Sequence, residues 1–200
     1  NGWIIGTGAW PYLVEGMSND AHSGPGTGAF TSLLFWEHFA YTQDIKYLKD
    51  VAYPFLYDMS IFLEKCLIFE DGKYLIKYSA SPENVEDINI WYSYHRTKGC
   101  AFDQQMTYEN FKQTIKASEI LGIKNDPFIK KIKNILPHLD NVLIGTSGQI
   151  KEYREETYYS EIGDPHHRHI SQLVGLYPGT QITELNPEWI KASEYTLNAR

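Results

Sequence analysis

The strongest constraint on this chain is the alternation of apolar stripes at helical spacing with polar loops longer than a dozen residues. Phe30, Leu33, Leu34, Phe39 and Ala40, with Trp36 beside them, mark one face of a helix from about Ala29. Asp44 is the expected N-cap for a helix over Lys46–Asp50, and Pro54 interrupts and restarts it. Phe55, Met59, Phe62, Leu63 and Cys66 carry the stripe on to about Phe69. A further helix around Met106, with Tyr108, Phe111 and Ile115 on one side, ends near Gly122. Asp126-Pro127 couples an N-cap to a proline at the first helical position, ahead of Phe128, Ile132, Ile135, Leu136 and Leu139. His166–Leu176 reads as a short helix closed by Tyr177-Pro178-Gly179, and Asn186-Pro187 starts another through Trp189, Ile190, Ser193 and Leu197. The fold class expected is all-α: about six helices, long loops and minor short strands.

The strand signals are weak. Asp71-Gly72 is a turn, and Tyr74–Tyr78 alternates as one arm of a hairpin would. Gly148-Gln149-Ile150-Lys151-Glu152-Tyr153 also alternates; as a strand it would set Gln149, Lys151 and Tyr153 on one side and Ile150 and Glu152 on the other.

Composition removes several function classes. A net charge of −7 argues against sequence-independent nucleic-acid binding, which needs Lys and Arg to neutralise phosphates. Lys130, Lys131 and Lys133 lie off the apolar stripe and read as a solvated face. No apolar run is long enough to span a bilayer. The Gly-rich stretch ending in Gly24-Pro25-Gly26-Thr27-Gly28 lacks the strand–glycine–helix order of a phosphate-binding loop. Cys66 reads as a buried thiol, and whether it meets Cys100 is not legible from sequence.

Long loops are uncommon unless they carry a site, so residues 79–102 and 140–165 draw attention. In the first, Pro82 restricts Ser81 to extended backbone and presents Glu83 from a constrained turn among aromatic residues. A carboxyl group so placed can serve as a general acid, while spacing alone favours a surface or capping carboxylate. The second feature is Asp164-Pro165-His166-His167-Arg168-His169. It is open to three readings: hydrogen bonding to an oxygen-rich ligand at a helix N-terminus, structural packing, or metal binding. The last lacks an HExxH partner and a third ligand at matched spacing. On a helix, His166 and His169 would share a face. Asp103 is most simply an N-cap or first-turn acid. Trp36-Glu37-His38 reads as packing within the first helix. The loop aromatics Trp10, Tyr12, Tyr78, Trp91, Tyr92, Tyr94, Tyr153, Tyr158 and Tyr159 suit core or interface, and also sugar faces.

Several of these motifs recur in one order. Phe35-Trp36-Glu37-His38-Phe39, Ala52-Tyr53-Pro54 and Ser81-Pro82-Glu83-Asn84 come first. Asp103-Gln104-Gln105-Met106, Gly148-Gln149-Ile150-Lys151-Glu152-Tyr153, His167-Arg168-His169-Ile170-Ser171 and Gly175-Leu176-Tyr177-Pro178-Gly179 follow. Together they resemble the catalytic domain of glycoside hydrolase family 95, whose members include inverting 1,2-α-L-fucosidases and some α-L-galactosidases. The resemblance implies an (α/α)6 barrel with the sugar site in the funnel of inter-helix loops, and residues 1–200 as part of one such domain, cut at both ends. Exposed apolar stripes would then pair with remaining segments of the same polypeptide.

The resemblance makes Glu83 the general acid. Arg168 and His169 would bind the fucosyl hydroxyls, Trp10 would lie near the sugar, and Gln149 and Glu152 would reach the same pocket. Neither the family's Asn-x-Asn pair nor its catalytic Asp within Pro-Pro-Phe-Gln-Ile-Asp-Gly-Asn occurs in these residues, so the base is expected outside them. The family's His-rich stretch before the tryptophan is replaced here by Ile4-Ile5-Gly6-Thr7-Gly8-Ala9. No metal or other cofactor is implied, the partner is an oligosaccharide or glycan, and an extracytoplasmic setting, secreted or periplasmic, goes with the family. A non-catalytic carbohydrate-binding protein on the same scaffold is the alternative.

Overall fold

The computed structural model describes residues 24–84, 97–140 and 142–200. The described chain is mostly helical, with one two-stranded sheet. Helix α1 spans Gly26–Thr42, three residues earlier than the stripe predicts. It ends at Gln43, which takes a left-handed conformation and returns its N–H to the Phe39 carbonyl. Asp44 caps the short α2 (Ile45–Tyr47) as expected, its Oδ1 accepting from Tyr47 N at 3.0 Å. Pro54 does not break the chain here. A π-helical turn over Leu48–Ala52 leads directly into α3 (Tyr53–Cys66), where proline occupies the first turn and its missing N–H costs no internal bond.

Helix α3 stops at Cys66 rather than Phe69. Leu67–Glu70 (β1) instead pairs antiparallel with Lys73–Ile76 (β2), Leu67 opposite Ile76 and Glu70 opposite Lys73. The turn residues Asp71 and Gly72 both have positive φ, 51° and 77°, the twist that a two-residue hairpin needs. Helix α4 (Ala101–Ile120) is the longest and α5 (Pro127–Ile135) follows it. The predicted cap of α5 is realised: Asp126 Oδ1 accepts from Phe128 N at 2.8 Å and Ile129 N at 3.1 Å. Tyr57 Oη donates to the same carboxylate, tying α3 to the start of α5. Helix α6 (Pro187–Ala199) starts at Asn186 without the expected side-chain cap.

Helices α1, α3, α4 and α5 share one core of Leu33, Met59, Leu63, Met106, Phe111, Ile132 and Ile135. A second cluster, Phe39, Leu48, Ala52, Leu56 and Ala117, closes the far end of the α1–α3–α4 layer. Between these apolar groups runs a buried polar seam. Ser60 Oγ donates to Asn110 Oδ1 at 2.7 Å and lies 2.8 Å from Thr114 Oγ1, while Asn110 Nδ2 donates to Ser32 Oγ at 3.1 Å. Such seams fix how three helices register, because a slipped helix leaves buried polar atoms unpaired. Val142, Ile150, Leu173, Ile182 and Ala192 form a third core that seats α6 under the C-terminal loops.

Two expected elements are absent. His166–Leu176 is not a helix; the only helical turn there is the 3-10 segment Ser171–Leu173. Gly148–Tyr153 is not an alternating strand: only an isolated bridge joins Ile144 and Ile150, and Gln149, Ile150, Glu152 and Tyr153 are all buried. Cys66 and Cys100 are both free thiols, Cys100 fully buried and Cys66 partly so. Burial raises the Cys66 thiol to about 11 and the Cys100 thiol well above its ordinary range, the Asp103 carboxylate adding to both.

Candidate active site

The first turn of α4 organises everything around the Ser81–Asn84 loop. Its three successive polar residues are buried, and each addresses a different segment. Asp103 Oδ1 accepts from Gly26 N at 2.7 Å, and Oδ2 accepts from Ser79 Oγ at 2.6 Å and Ala80 N at 3.2 Å. Gln104 accepts from Ile76 N at 2.8 Å and donates to Tyr74 O at 3.1 Å, which pins β2. Gln105 donates to Gln172 O at 2.8 Å and accepts from Gly175 N at 2.6 Å, which pins the C-terminal loop. Asp103 is therefore not a helix cap. It joins the start of α1, the strand exit and α4 at one point. Glycine is required opposite it: an added Cβ at Gly24 would lie 1.9 Å from its Oδ2, and one at Gly26 2.7 Å from its Oδ1. Burial pushes the Asp103 carboxyl up to about 6, against the three hydrogen bonds that favour its charge.

Beyond Ala80 the loop is held by a second buried carboxylate. Glu152 Oε1 accepts from Ser81 Oγ at 2.5 Å; its Oε2 accepts from Asn84 Nδ2 at 2.9 Å and Arg200 Nη2 at 2.6 Å. Tyr153 Oη donates to the Asn84 carbonyl. Glu156 supports this corner from below, its Oε2 accepting from Glu152 N at 2.8 Å and Tyr153 N at 3.3 Å. Burial raises Glu156 to about 7 and lifts the Tyr153 phenol far above its ordinary value.

Glu83 sits between these fixed neighbours, partly exposed, with its carboxylate in an ion pair with Arg168. The Pro82 carbonyl meets the same arm. Ser171 Oγ donates to it, and His169 Nδ1 lies 3.3 Å away. His169 N donates to His167 Nδ1 at 3.2 Å, and the two rings meet edge to face. Burial, then the neighbouring His169, lowers the His167 imidazole, consistent with an unprotonated Nδ1 that accepts. Asn84 ties the loops together again, its Oδ1 accepting from Asp164 N at 2.8 Å.

The structure thus brings Glu83, Arg168, His169 and Glu152 to one place. Gln149 is separate: it is fully buried against Gly145, where a Cβ would lie 2.1 Å from Nε2, and its amide has no hydrogen-bond partner among the described residues. Trp10 lies outside the described residues, as do Tyr12, Trp91, Tyr92 and Tyr94.

All 200 residues match the model of the glycosyl hydrolase family 95 catalytic domain. The chain belongs to that family. It is 37% identical over 178 residues to alpha-L-fucosidase 2 of Arabidopsis thaliana, covering 88% of this chain and 21% of that protein. It is 30% identical over 184 residues to probable alpha-fucosidase A of Aspergillus niger, covering 88% of this chain and 22% of that protein. A probable alpha-fucosidase A of Aspergillus oryzae is 42% identical over 89 residues, 44% of this chain and 12% of that protein. The chain spans about a fifth of the length of the first two relatives.

Within this family 95 chain, sequence reasoning missed three participants. Asp103 offered the signal of an acid in a helical first turn, which any cap would give. Arg200 gave none, since its partner lies 48 positions away. Asn84 was visible only as the last letter of the Ser-Pro-Glu-Asn motif.

Proposed function

We propose that this chain is the acid-bearing, sugar-contacting part of an inverting glycosidase that removes terminal α-1,2-linked L-fucose, or L-galactose, from glycans. The observation that carries the reading is the contrast at Glu83. Its neighbours Ser81 and Asn84 are bonded to a buried carboxylate, whereas its own carboxylate reaches outward to Arg168, whose side chain is 68% exposed. A proton donor needs this combination of a fixed backbone and an accessible oxygen.

In the proposed reaction, Arg168 leaves Glu83 for the sugar hydroxyls when substrate enters, and His169 binds beside it. Freed of Arg168, Glu83 takes up a proton from solvent and gives it to the glycosidic oxygen as the bond to the anomeric carbon breaks. Water attacks that carbon from the opposite face and yields its proton to a second carboxylate about 6.5–9.5 Å from Glu83. That base comes from outside these 200 residues. Asp103 does not serve, being fully buried with both oxygens occupied. Trp10 lies near the sugar in this reading. The chain is part of a single (α/α)6 domain, closed by remaining segments of the same polypeptide, and the enzyme works outside the cytoplasm, secreted or periplasmic.

The test is the anomer that the full-length protein first releases from 2′-fucosyllactose, followed by proton NMR. Inversion gives β-L-fucose first. The α anomer first would overturn the inverting mechanism. Glycan binding without release of fucose or galactose would make the protein a carbohydrate binder on this scaffold.

A further inference from the structure

We propose that Glu152 is the positioning residue of the acid loop, acting on the reaction through Ser81 and Asn84 rather than by touching sugar; this rests on the reading of Glu83 as the acid. Glu152 is 4% exposed, and both carboxylate oxygens are taken by Ser81 Oγ, Asn84 Nδ2 and Arg200 Nη2. Buried and engaged by three donors from within the protein, the carboxylate has little access to a sugar hydroxyl.

Its backbone is as firmly held as its side chain. Glu152 N donates to Glu156 Oε2 at 2.8 Å, and Glu152 O accepts from Ala101 N at 3.0 Å and Cys100 Sγ at 3.2 Å, at the start of α4. The carboxylate therefore carries the rigidity of α4 across to the two residues that flank Pro82 and Glu83. Arg200 supplies the countercharge, its side chain 8% exposed, and its Nη1 donates to Asp164 O at 2.9 Å. Asn84 joins this centre to the Arg168 arm through Asp164 N. The approach is close enough to demand glycine next door: at Gly163, φ is +85° and a Cβ would lie 2.4 Å from Asn84 Oδ1. One buried carboxylate thus sets the spacing between the acid and the arm that covers it. Misplacing an acid by an ångström is enough to cost on the order of 100-fold in rate.

The experiment compares two substrates for the full-length protein: 2′-fucosyllactose, whose leaving hydroxyl needs a proton, and an aryl α-L-fucoside with an acidic phenol, which does not. Glu83→Gln is the reference and loses kcat on the glycan selectively. Glu152→Gln turns one acceptor into a donor and leaves Arg200 without its countercharge. It is expected to lower kcat on the glycan by about 10- to 100-fold. On the aryl fucoside, kcat stays within about 3-fold, and KM stays within about 3-fold on both substrates. Ser81→Ala removes one bond to the loop without touching the ion pair and shows the same selectivity at about 10-fold; it decides the matter if Glu152→Gln does not fold. Equal losses on both substrates, or a raised KM with kcat unchanged, overturn the positioning role while Glu83→Gln remains selective. A Glu83→Gln enzyme that is not selective overturns the acid assignment itself.

Discussion

Two segments meet at Glu83, and they are built differently. The Ser79–Asn84 loop is wired inward: Asp103 holds Ser79 and Ala80, Glu152 holds Ser81 and Asn84, and both carboxylates are buried. The Asp164–His169 arm is wired mostly through its backbone and its neighbours' side chains. Its Arg168 is 68% exposed and pairs only with Glu83 among the described residues. Buried charge that must be matched fixes a backbone, because any displacement leaves an uncompensated ion. An exposed ion pair is worth about 0–1 kcal/mol and exchanges partners readily. In the proposed reading the two segments have separate duties: one keeps the acid in place, and the other can leave it for a ligand.

The largest expected effect comes from breaking the inward wiring. Arg200→Met strips Glu152 of its countercharge inside the protein and should cost about 3–5 kcal/mol of unfolding free energy in chemical denaturation. A loss under 1 kcal/mol would mean that Glu152 is not effectively buried.

Asp103 tests the other anchor through pH. Its carboxyl is raised to about 6, above the roughly 3.9 of an unfolded aspartate. The folded state therefore holds that proton more tightly. The stability it contributes is fully present below about pH 4 and is lost as pH rises through 6, a change of about 3 kcal/mol. Asp103→Asn cannot titrate, so its unfolding free energy should fall less between pH 4 and pH 6 than that of the unmodified protein. Glu156, raised to about 7, contributes its own fall across the same window and on to about pH 7 in both proteins, so the comparison is the difference between them. An unchanged slope in the variant would show that Asp103 is not the source.

The exposed arm should respond in function and not in stability. Arg168→Lys keeps the charge and loses the planar fork, so kcat/KM on the glycan should fall about 10-fold while unfolding free energy changes by less than about 1 kcal/mol. Larger destabilisation would put the arm in the same class as the loop. Smallest of all, Lys46→Ala removes the exposed Lys46–Asp50 pair and should leave both the denaturation midpoint and the activity essentially unchanged.

Sequence was informative where local rules decide. The Asp126-Pro127 cap, the Asp44 cap and the stripes of α3 and α4 are each fixed within a few residues of chain, and each is realised. It failed where long-range bonds override local preference. The predicted helix over His166–Leu176 gives way because its backbone and side chains are committed elsewhere. Ser171 Oγ donates to the Pro82 carbonyl 89 positions away, and Gly175 N donates to Gln105 Oε1 70 positions away. Glu83 and Arg168 were singled out separately, 85 positions apart, and only folding shows them as a pair. Asp103 is the first-turn acid that the local rule expects, but its bonds to Gly26, Ser79 and Ala80 come from distant chain and are not legible in that rule.

The most direct measurement is kcat of the full-length Glu83→Gln variant on 2′-fucosyllactose, alongside its thermal midpoint. Loss of at least about 100-fold in kcat with the midpoint nearly unchanged is the predicted result, since Gln keeps the shape and cannot give the proton. Undiminished fucose release by a folded variant would contradict the account.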